Sequence, residues 1–228
     1  MWRGMYKNSR ENIHREEQLE YIMLSLLSNK INVLIIGGGE ASLIKTKTFL
    51  NGGCNVTVVA KEFLEYFNTL NSNRLHIIKG EYDESLLNDC HIVILAINDS
   101  EKINEVKKHC DKRCKIYINC KDYKDGMGAV PINIKSEEAI MGINTLKGNP
   151  KALKMMSNDF KDRLKSYDKF IETTSIIRNN AKKFKEKKKE ILNFIVCDDF
   201  KDVIEKGMGK TILKMFYEEE LVDELFKD

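Results

Sequence analysis

Three consecutive glycines, Gly37-Gly38-Gly39, stand between an apolar run and a helix-like run that opens with Glu40, Ala41 and Ser42. Gly37, Gly39 and Ser42 fit the G-x-G-x-x-small spacing of a dinucleotide fold. The first glycine permits a tight turn, the second lets a pyrophosphate approach the backbone, and the third position needs a small residue for helix–strand packing. A pyrophosphate would lie at the helix N-terminus, where unpaired N–H groups and the positive end of the dipole favour an anion. Gly37, Gly38, Gly39, Glu40 and Ala41 are therefore the candidate phosphate residues. The bland reading of the same residues is a tight strand-to-helix turn.

Such a site also wants an acidic residue at the end of the second strand, to accept hydrogen bonds from the ribose. Ala60 stands there, followed by Lys61 and Glu62. Glu62 could reach the ribose and Lys61 would tolerate a 2′-phosphate, so NAD and NADP both remain open. Ala96, Ile97, Asn98 and Asp99 form another polar strand end, a candidate wall for the nicotinamide half. Asp122 follows a third strand, where open α/β sheets bind ligands, and its carboxylate could take a proton. With Tyr-Lys-Asp-Gly after it, Asp122 taken by itself reads more readily as a turn residue.

The elements that must position these residues are legible from periodicity. Residues 31–36 (INVLII) are near-continuously apolar, as in a strand buried on both faces, and 55–60 (NVTVVA) form the next strand after a helix over 40–51. Asn51-Gly52-Gly53 supplies the stop. The alternation continues with a helix over 62–71, strands at 75–78 and 92–97, a helix at 101–110 and a strand at 115–119. An open α/β, Rossmann-like parallel sheet is expected. Beyond Gly128 the period changes: 130–134 and 139–144 read as strands with no helix between them, and Asn149-Pro150 opens a long helix over 151–177. The rest reads as helices, broken near residues 197–199 and 207–209. The expected division is an N-terminal extension (1–20), a dinucleotide-binding domain (21–128), a small central segment with strands (129–150) and a helical C-terminal domain (151–228).

Bulk properties narrow the function classes. The 228-residue chain is 42% hydrophobic and 32% charged, and its 38 basic and 35 acidic residues leave a net charge of +3. That balance argues against a nucleic-acid partner. Only Lys182 to Lys189 (KKFKEKKK) is a basic run, in a helix-like stretch where a solvated face is favoured over an acidic partner. No apolar run approaches the roughly 18 residues of a membrane span, and residues 1–20 lack the apolar block of a secretory leader. A cytoplasmic location is expected. Cys54, Cys90, Cys110, Cys114, Cys120 and Cys197 show no CxxC pairing, and His76, His91 and His109 no ligand spacing, so no metal site is expected.

With these residues in view, the chain resembles the precorrin-2 dehydrogenase module of siroheme synthases over about residues 21–164. The family's GGGxVAxRK turn corresponds to Gly37 through Lys45, with Ser42 for alanine and Ile44 for arginine. Its VTVVAPE strand end corresponds to Val56 through Glu62, with Lys61 for proline. Its ATDD-like strand end and following Asn correspond to Ala96-Ile97-Asn98-Asp99 and Asn104. Its N-V-V-D motif corresponds to Asn119-Cys120-Lys121-Asp122, its later proline to Pro131, and its GxSP-like turn to Gly148-Asn149-Pro150, with Asn149 for serine. The resemblance implies NAD-dependent oxidation of the tetrapyrrole precorrin-2 to sirohydrochlorin, with Asp122 as the key aspartate and a homodimer formed through the central segment. Some members of the family also insert ferrous iron. A bifunctional dehydrogenase and ferrochelatase, and a non-catalytic dinucleotide-sensing domain, are the competing expectations.

Overall fold

The computed structural model describes residues 21–227, so the expected N-terminal extension lies outside the described residues. The apolar run read as a doubly buried strand is β1 (Asn32–Ile36), the centre of a five-stranded parallel sheet. Its partners are β2 (Asn55–Ala60), β3 (Leu75–Lys79), β4 (Ile92–Leu95) and β5 (Ile116–Asn119), in the order β3-β2-β1-β4-β5. Strand periodicity sends the side chains of β1 alternately to two cores. Val33 and Ile35 join Val56, Val58, Ile94 and Phe67 on one face, against Leu43 and Phe49 of α1 (Glu40–Asn51). Leu34 and Ile36 join Val59, Val93 and Leu95 on the other, against Ile103 and Val106 of α2 (Ser100–Lys112).

The expected helix over 62–71 is reduced to a 3-10 turn, Glu65–Thr69. Leu64 is pulled into an extended conformation because its N–H reaches across to the Gly38 carbonyl at 3.0 Å. Only then can a turn begin, and it seats Phe67 in the core with Phe63 edge-on at 5.1 Å. β4 also ends earlier than expected, at Leu95, because Ala96 to Asp99 leave the sheet to form the connection into α2.

The chain packs as two compact units. One runs to Val130 and takes in Leu146–Gly148; the other comprises Pro131–Thr145 and the chain from Asn149 onward. In the second unit β6 (Ile132–Lys135) and β7 (Ile140–Ile143) form a two-stranded antiparallel hairpin. The expected single helix over 151–177 is instead α3 (Pro150–Lys165) and α4 (Asp168–Asn180). Asn149 caps α3 as its sequence suggests, its side chain accepting from Ala152 N at 3.1 Å. At the break, Ser166 Oγ donates to the Arg163 carbonyl at 2.9 Å and Tyr167 N to that of Leu164, which tightens the last turn. Asp168 then opens α4 with its carboxylate turned to the hairpin, accepting from the N–H groups of Glu137 and Glu138. Those contacts hold its carboxyl below the usual aspartate range, chiefly through the Ser136 hydroxyl.

The remaining helices are α5 (Lys188–Ile195), α6 (Asp198–Glu205), α7 (Gly209–Lys214) and α8 (Glu219–Leu225), closed around Ile177, Ile191, Phe200 and Leu213. The basic run before α5 is not a helix face. It runs from a 3-10 turn, Ala181–Lys183, through irregular chain into the first residues of α5, and its Lys183 and Lys187 pair with Glu224 and Glu218.

Ser42 and Thr46 lie one turn apart on the buried side of α1, both fully covered, and neither hydroxyl has a hydrogen-bond partner among the described residues. A buried unpaired hydroxyl costs about 1–3 kcal/mol. Ser42→Ala and Thr46→Val, which keep the volume nearly constant, are therefore expected to raise stability by about 1 kcal/mol each. Thermal or urea unfolding of the two variants measures it.

Candidate functional site

The candidate residues of the first unit line one edge of the sheet, and the backbone explains why. Gly37 follows β1 with φ at +125°, and a Cβ there would stand 2.3 Å from the Ala96 carbonyl oxygen. At Gly38 a Cβ would stand 1.9 Å from the carbonyl oxygen of Glu62. Hydrogen bonds complete the knot: Gly37 N donates to Val59 O at 2.9 Å, and Ala96 N to Ile36 O at 2.9 Å. The carboxyl ends of β2, β1 and β4 are thus drawn together around the glycine turn.

Gly39 differs from its neighbours. Nothing lies within 4 Å of the position a Cβ would take, its φ of −86° suits any residue, and it is exposed at the N-cap of α1. No side chain caps that helix end. The first-turn N–H groups around Glu40 and Ala41 are left to face an outside anion, which is the arrangement a pyrophosphate needs. Glu40 can serve only through its backbone there, because its carboxylate would repel the phosphates.

At the end of β2, Lys61 pairs with Glu81 at 2.9 Å, with both side chains mostly exposed. The Glu81 carboxylate raises the Lys61 pKa, and Lys61 lowers that of Glu81. Glu62 is exposed on the same edge. After β4, Ala96 and Ile97 are half-buried and Asn98 is exposed. Asp99 is occupied: Oδ1 accepts from the N–H groups of Glu101 and Lys102, both at 3.0 Å, and so caps α2.

Asp122 sits three residues past the end of β5, exposed, where Oδ1 accepts from Lys124 N at 3.0 Å. The turn-forming role read from its neighbours is therefore present, and Asp122 lies beyond the carboxyl end of β5. Lys121 bridges the ends of β4 and β5, its ammonium lying 3.3 Å from Ser100 Oγ and 3.5 Å from the Asn98 carbonyl. Beside it opens a pocket of about 280 Å³ lined by Ala41, Lys45, Asn119, Cys120, Tyr123 and Gly128. Burial pushes the Cys120 thiol pKa up, and the Lys45 ammonium works against that rise.

Sequence reading missed the residues beneath this surface. Asn119, the last residue of β5, is buried. Its Oδ1 accepts from Lys121 N at 3.0 Å and from Asp122 N at 3.4 Å, while Nδ2 donates to Asp125 Oδ2 at 2.9 Å. Asp125 in turn pairs with Lys107 of α2. The sequence marks Asn119 as the first residue of the Asn119-Cys120-Lys121-Asp122 motif and as a polar residue closing an otherwise apolar strand (IYIN), but neither signal gives it a role. Two of the histidines have partners other than a metal: His91 Nδ1 accepts from Asn32 N, and His109 Nδ1 lies 3.2 Å from the Tyr82 hydroxyl. Among the described residues, no three His, Cys, Asp or Glu side chains converge to hold a metal, and no helix is long and apolar enough to cross a membrane.

Residues 24–132 match a family described as putative NAD(P)-binding, which makes a nicotinamide dinucleotide the cofactor class of the first unit. The chain is 34% identical over 90 residues to a siroheme synthase of Enterobacter sp. (strain 638), covering 39% of this chain and 20% of that one. It thus spans about a fifth of the length of the siroheme synthases it matches. Against a precorrin-2 dehydrogenase of Priestia megaterium it is 23% identical over 185 residues, covering 79% of this chain and 90% of the relative. A solved structure of a precorrin-2 dehydrogenase superposes with a TM-score of 0.63 at 22% identity, over 85% of this chain and all of the other, and so shares the fold. The resemblance read from the motifs holds.

Two neighbouring glycines now have different expected sensitivities. Gly38→Ala forces a carbon onto the Glu62 carbonyl and should cost about 1–3 kcal/mol or more of stability. Gly39→Val meets open space, so it should fold with near-parental stability and lose dinucleotide affinity. Unfolding curves and a titration with NAD on the same two variants distinguish the effects.

Proposed function

We propose that the chain is an NAD-dependent oxidoreductase that converts precorrin-2 to sirohydrochlorin, a step of siroheme or cobalamin formation. The observation that carries this reading is the place of Asp122: an exposed carboxylate beyond β5, on the same sheet edge as the open Gly39 turn. Similarity to precorrin-2 dehydrogenases supports the substrate class.

Removing two hydrogens from a tetrapyrrole separates into loss of a hydride and loss of a proton. When bound, the nicotinamide supplies the hydride acceptor. Asp122 takes the proton, for which a carboxylate beside the substrate needs only to be ionised and correctly aimed. The N–H groups of Gly39, Glu40 and Ala41 hold the pyrophosphate, with Gly37 and Gly38 making the turn. Ala96, Ile97 and Asn98 flank the nicotinamide half, and Asp99 acts there by fixing the start of α2.

NAD is favoured over NADP. The Lys61 ammonium that could receive a 2′-phosphate is already paired with Glu81, and that carboxylate would repel the phosphate. Glu62 is the remaining carboxylate for the ribose hydroxyls. Functionally the chain divides into the dinucleotide domain to residue 128, a segment from 129 to 150 that pairs two copies as a homodimer, and a helical domain from 151. The hairpin of β6 and β7 supports the dimer: α3 packs beside β6, while Ile140 and Met141 on β7 are exposed. A cytoplasmic location fits a dinucleotide-dependent enzyme.

Asp122→Asn keeps the shape and the turn while removing the basicity. Turnover of precorrin-2 is expected to fall by about 10²–10⁴-fold with dinucleotide affinity retained. Steady-state kinetics beside an NAD titration check it, and a parental rate would return Asp122 to its turn-forming role alone.

A further inference from the structure

Asp122 is exposed and lies on a short turn, which by itself is a poor way to hold a general base. A catalytic group must stay within a fraction of an ångström of its working geometry, and a misplacement of about 1 Å can cost on the order of 10²-fold in rate. The chain after β5 therefore needs an anchor, and the described residues show one beneath the surface. Asn119 is only 4% exposed, and its side-chain oxygen receives the N–H groups of Lys121 and Asp122.

That anchor works in one orientation of the amide only. An amide has an acceptor end and a donor end of almost the same shape, and turning it over would set two N–H donors against the backbone N–H groups. Asp125 decides the orientation. Its carboxylate accepts and cannot donate when ionised, so it draws the Asn119 NH₂ toward itself at 2.9 Å and leaves the oxygen facing the turn. Lys107 of α2 keeps Asp125 ionised and in place: their hydrogen bond is the largest cause of the lowered Asp125 pKa, with Asn119 second. A group whose folded pKa is depressed contributes above its unfolded pKa and loses that contribution as pH falls through the folded one. The arrangement thus persists across neutral pH.

A further contact closes the same turn. Met127 N donates to the Tyr117 carbonyl at 2.9 Å, and a Cβ on Gly126 would stand 3.0 Å from Asn119 N. The chain after Asp125 is thereby laid back along β5, which brings the Asp125 carboxylate under Asn119.

We propose that Asn119 is a positioning residue for Asp122, and that the Asp125–Lys107 pair sets the amide orientation through which it acts. This rests on the reading of Asp122 as the proton acceptor. None of the three touches substrate under this proposal. Their effect passes through the backbone of residues 121 and 122.

The test is a polarity swap. Asn119→Asp keeps the acceptor for the turn but sets a second carboxylate against Asp125, so the bond between them is lost and the side chain turns away. Its kcat is expected to fall about ten- to a hundredfold, with the dinucleotide Kd near the parental value. In Asn119→Asp/Asp125→Asn the donor is supplied from the other side: the new amide at 125 gives its NH₂ to the new carboxylate at 119. The double variant should recover most of the lost kcat. A purely structural role would move stability and all kinetic constants together and would give no recovery specific to kcat. Should the Asn119 variant not fold, Asp125→Ala at the half-exposed end of the pair frees the amide to turn over and should show the same fall in kcat. In an Asp122→Asn background, Asn119→Asp should cost little more, because the group it aims is already gone. Parental kcat in Asn119→Asp or in Asp125→Ala, or a double variant no better than Asn119→Asp, overturns the proposal. An undiminished rate in Asp122→Asn alone instead overturns the reading on which it rests.

Discussion

At Gly37 and Gly38 the backbone passes so near the carbonyl oxygens of Ala96 and Glu62 that a methyl group would stand 2.3 and 1.9 Å from them. The ends of three adjacent strands are drawn together at this crossing, and the chain beyond each strand inherits its place from it. Glu62 lies in the exposed chain after β2, Ala96 begins the connection after β4, and Gly39 is left with nothing in front of it. Leu64 is held to Gly38 by a main-chain bond, which converts an expected helix into a single turn. Removing the close approach at either glycine would therefore disturb the connections after β2 and β4 together.

The division of labour among the three glycines is only partly legible in the sequence. Spacing assigns Gly37 to the turn, Gly39 to ligand approach and Ser42 to packing; the structure has φ of +125° at the first, open space at the second and full burial at the third. Gly38, read only as part of the glycine turn, has no place of its own in that spacing, because the group that forbids a side chain there is a carbonyl 24 residues away beyond another strand end. β1 is readable because a strand covered on both faces must be apolar throughout. Residues 151–177 read as one continuous helix because helical periodicity survives the break; the hydroxyl of Ser166 and the hairpin's hold on Asp168 end α3 without glycine or proline. The sequence places Asn119 in a motif and at a polar strand end but shows no role for it, since its partner Asp125 and the Lys107 that pairs with Asp125 are brought to it by the fold.

Charge on the ligand edge is largely committed. Lys61 is neutralised by Glu81, Asp99 caps α2, and the carboxyl of Asp125 is held by Lys107 and Asn119. Asp122 is engaged only through Oδ1, which accepts the main-chain N–H of Lys124. A cation at Lys121 bridges the neighbouring strand ends, and Lys45 faces the adjacent pocket. Under the proposed function, an acidic tetrapyrrole would meet the Lys121 and Lys45 ammonium groups near Asp122 on this edge.

The proposed activity makes a stoichiometric claim that a binding protein cannot meet. Purified chain supplied with precorrin-2 and NAD should form one NADH for each sirohydrochlorin, followed by the absorbance of both products in the same cuvette. Tight dinucleotide binding with no conversion of precorrin-2 would contradict the account and leave a sensing domain in its place.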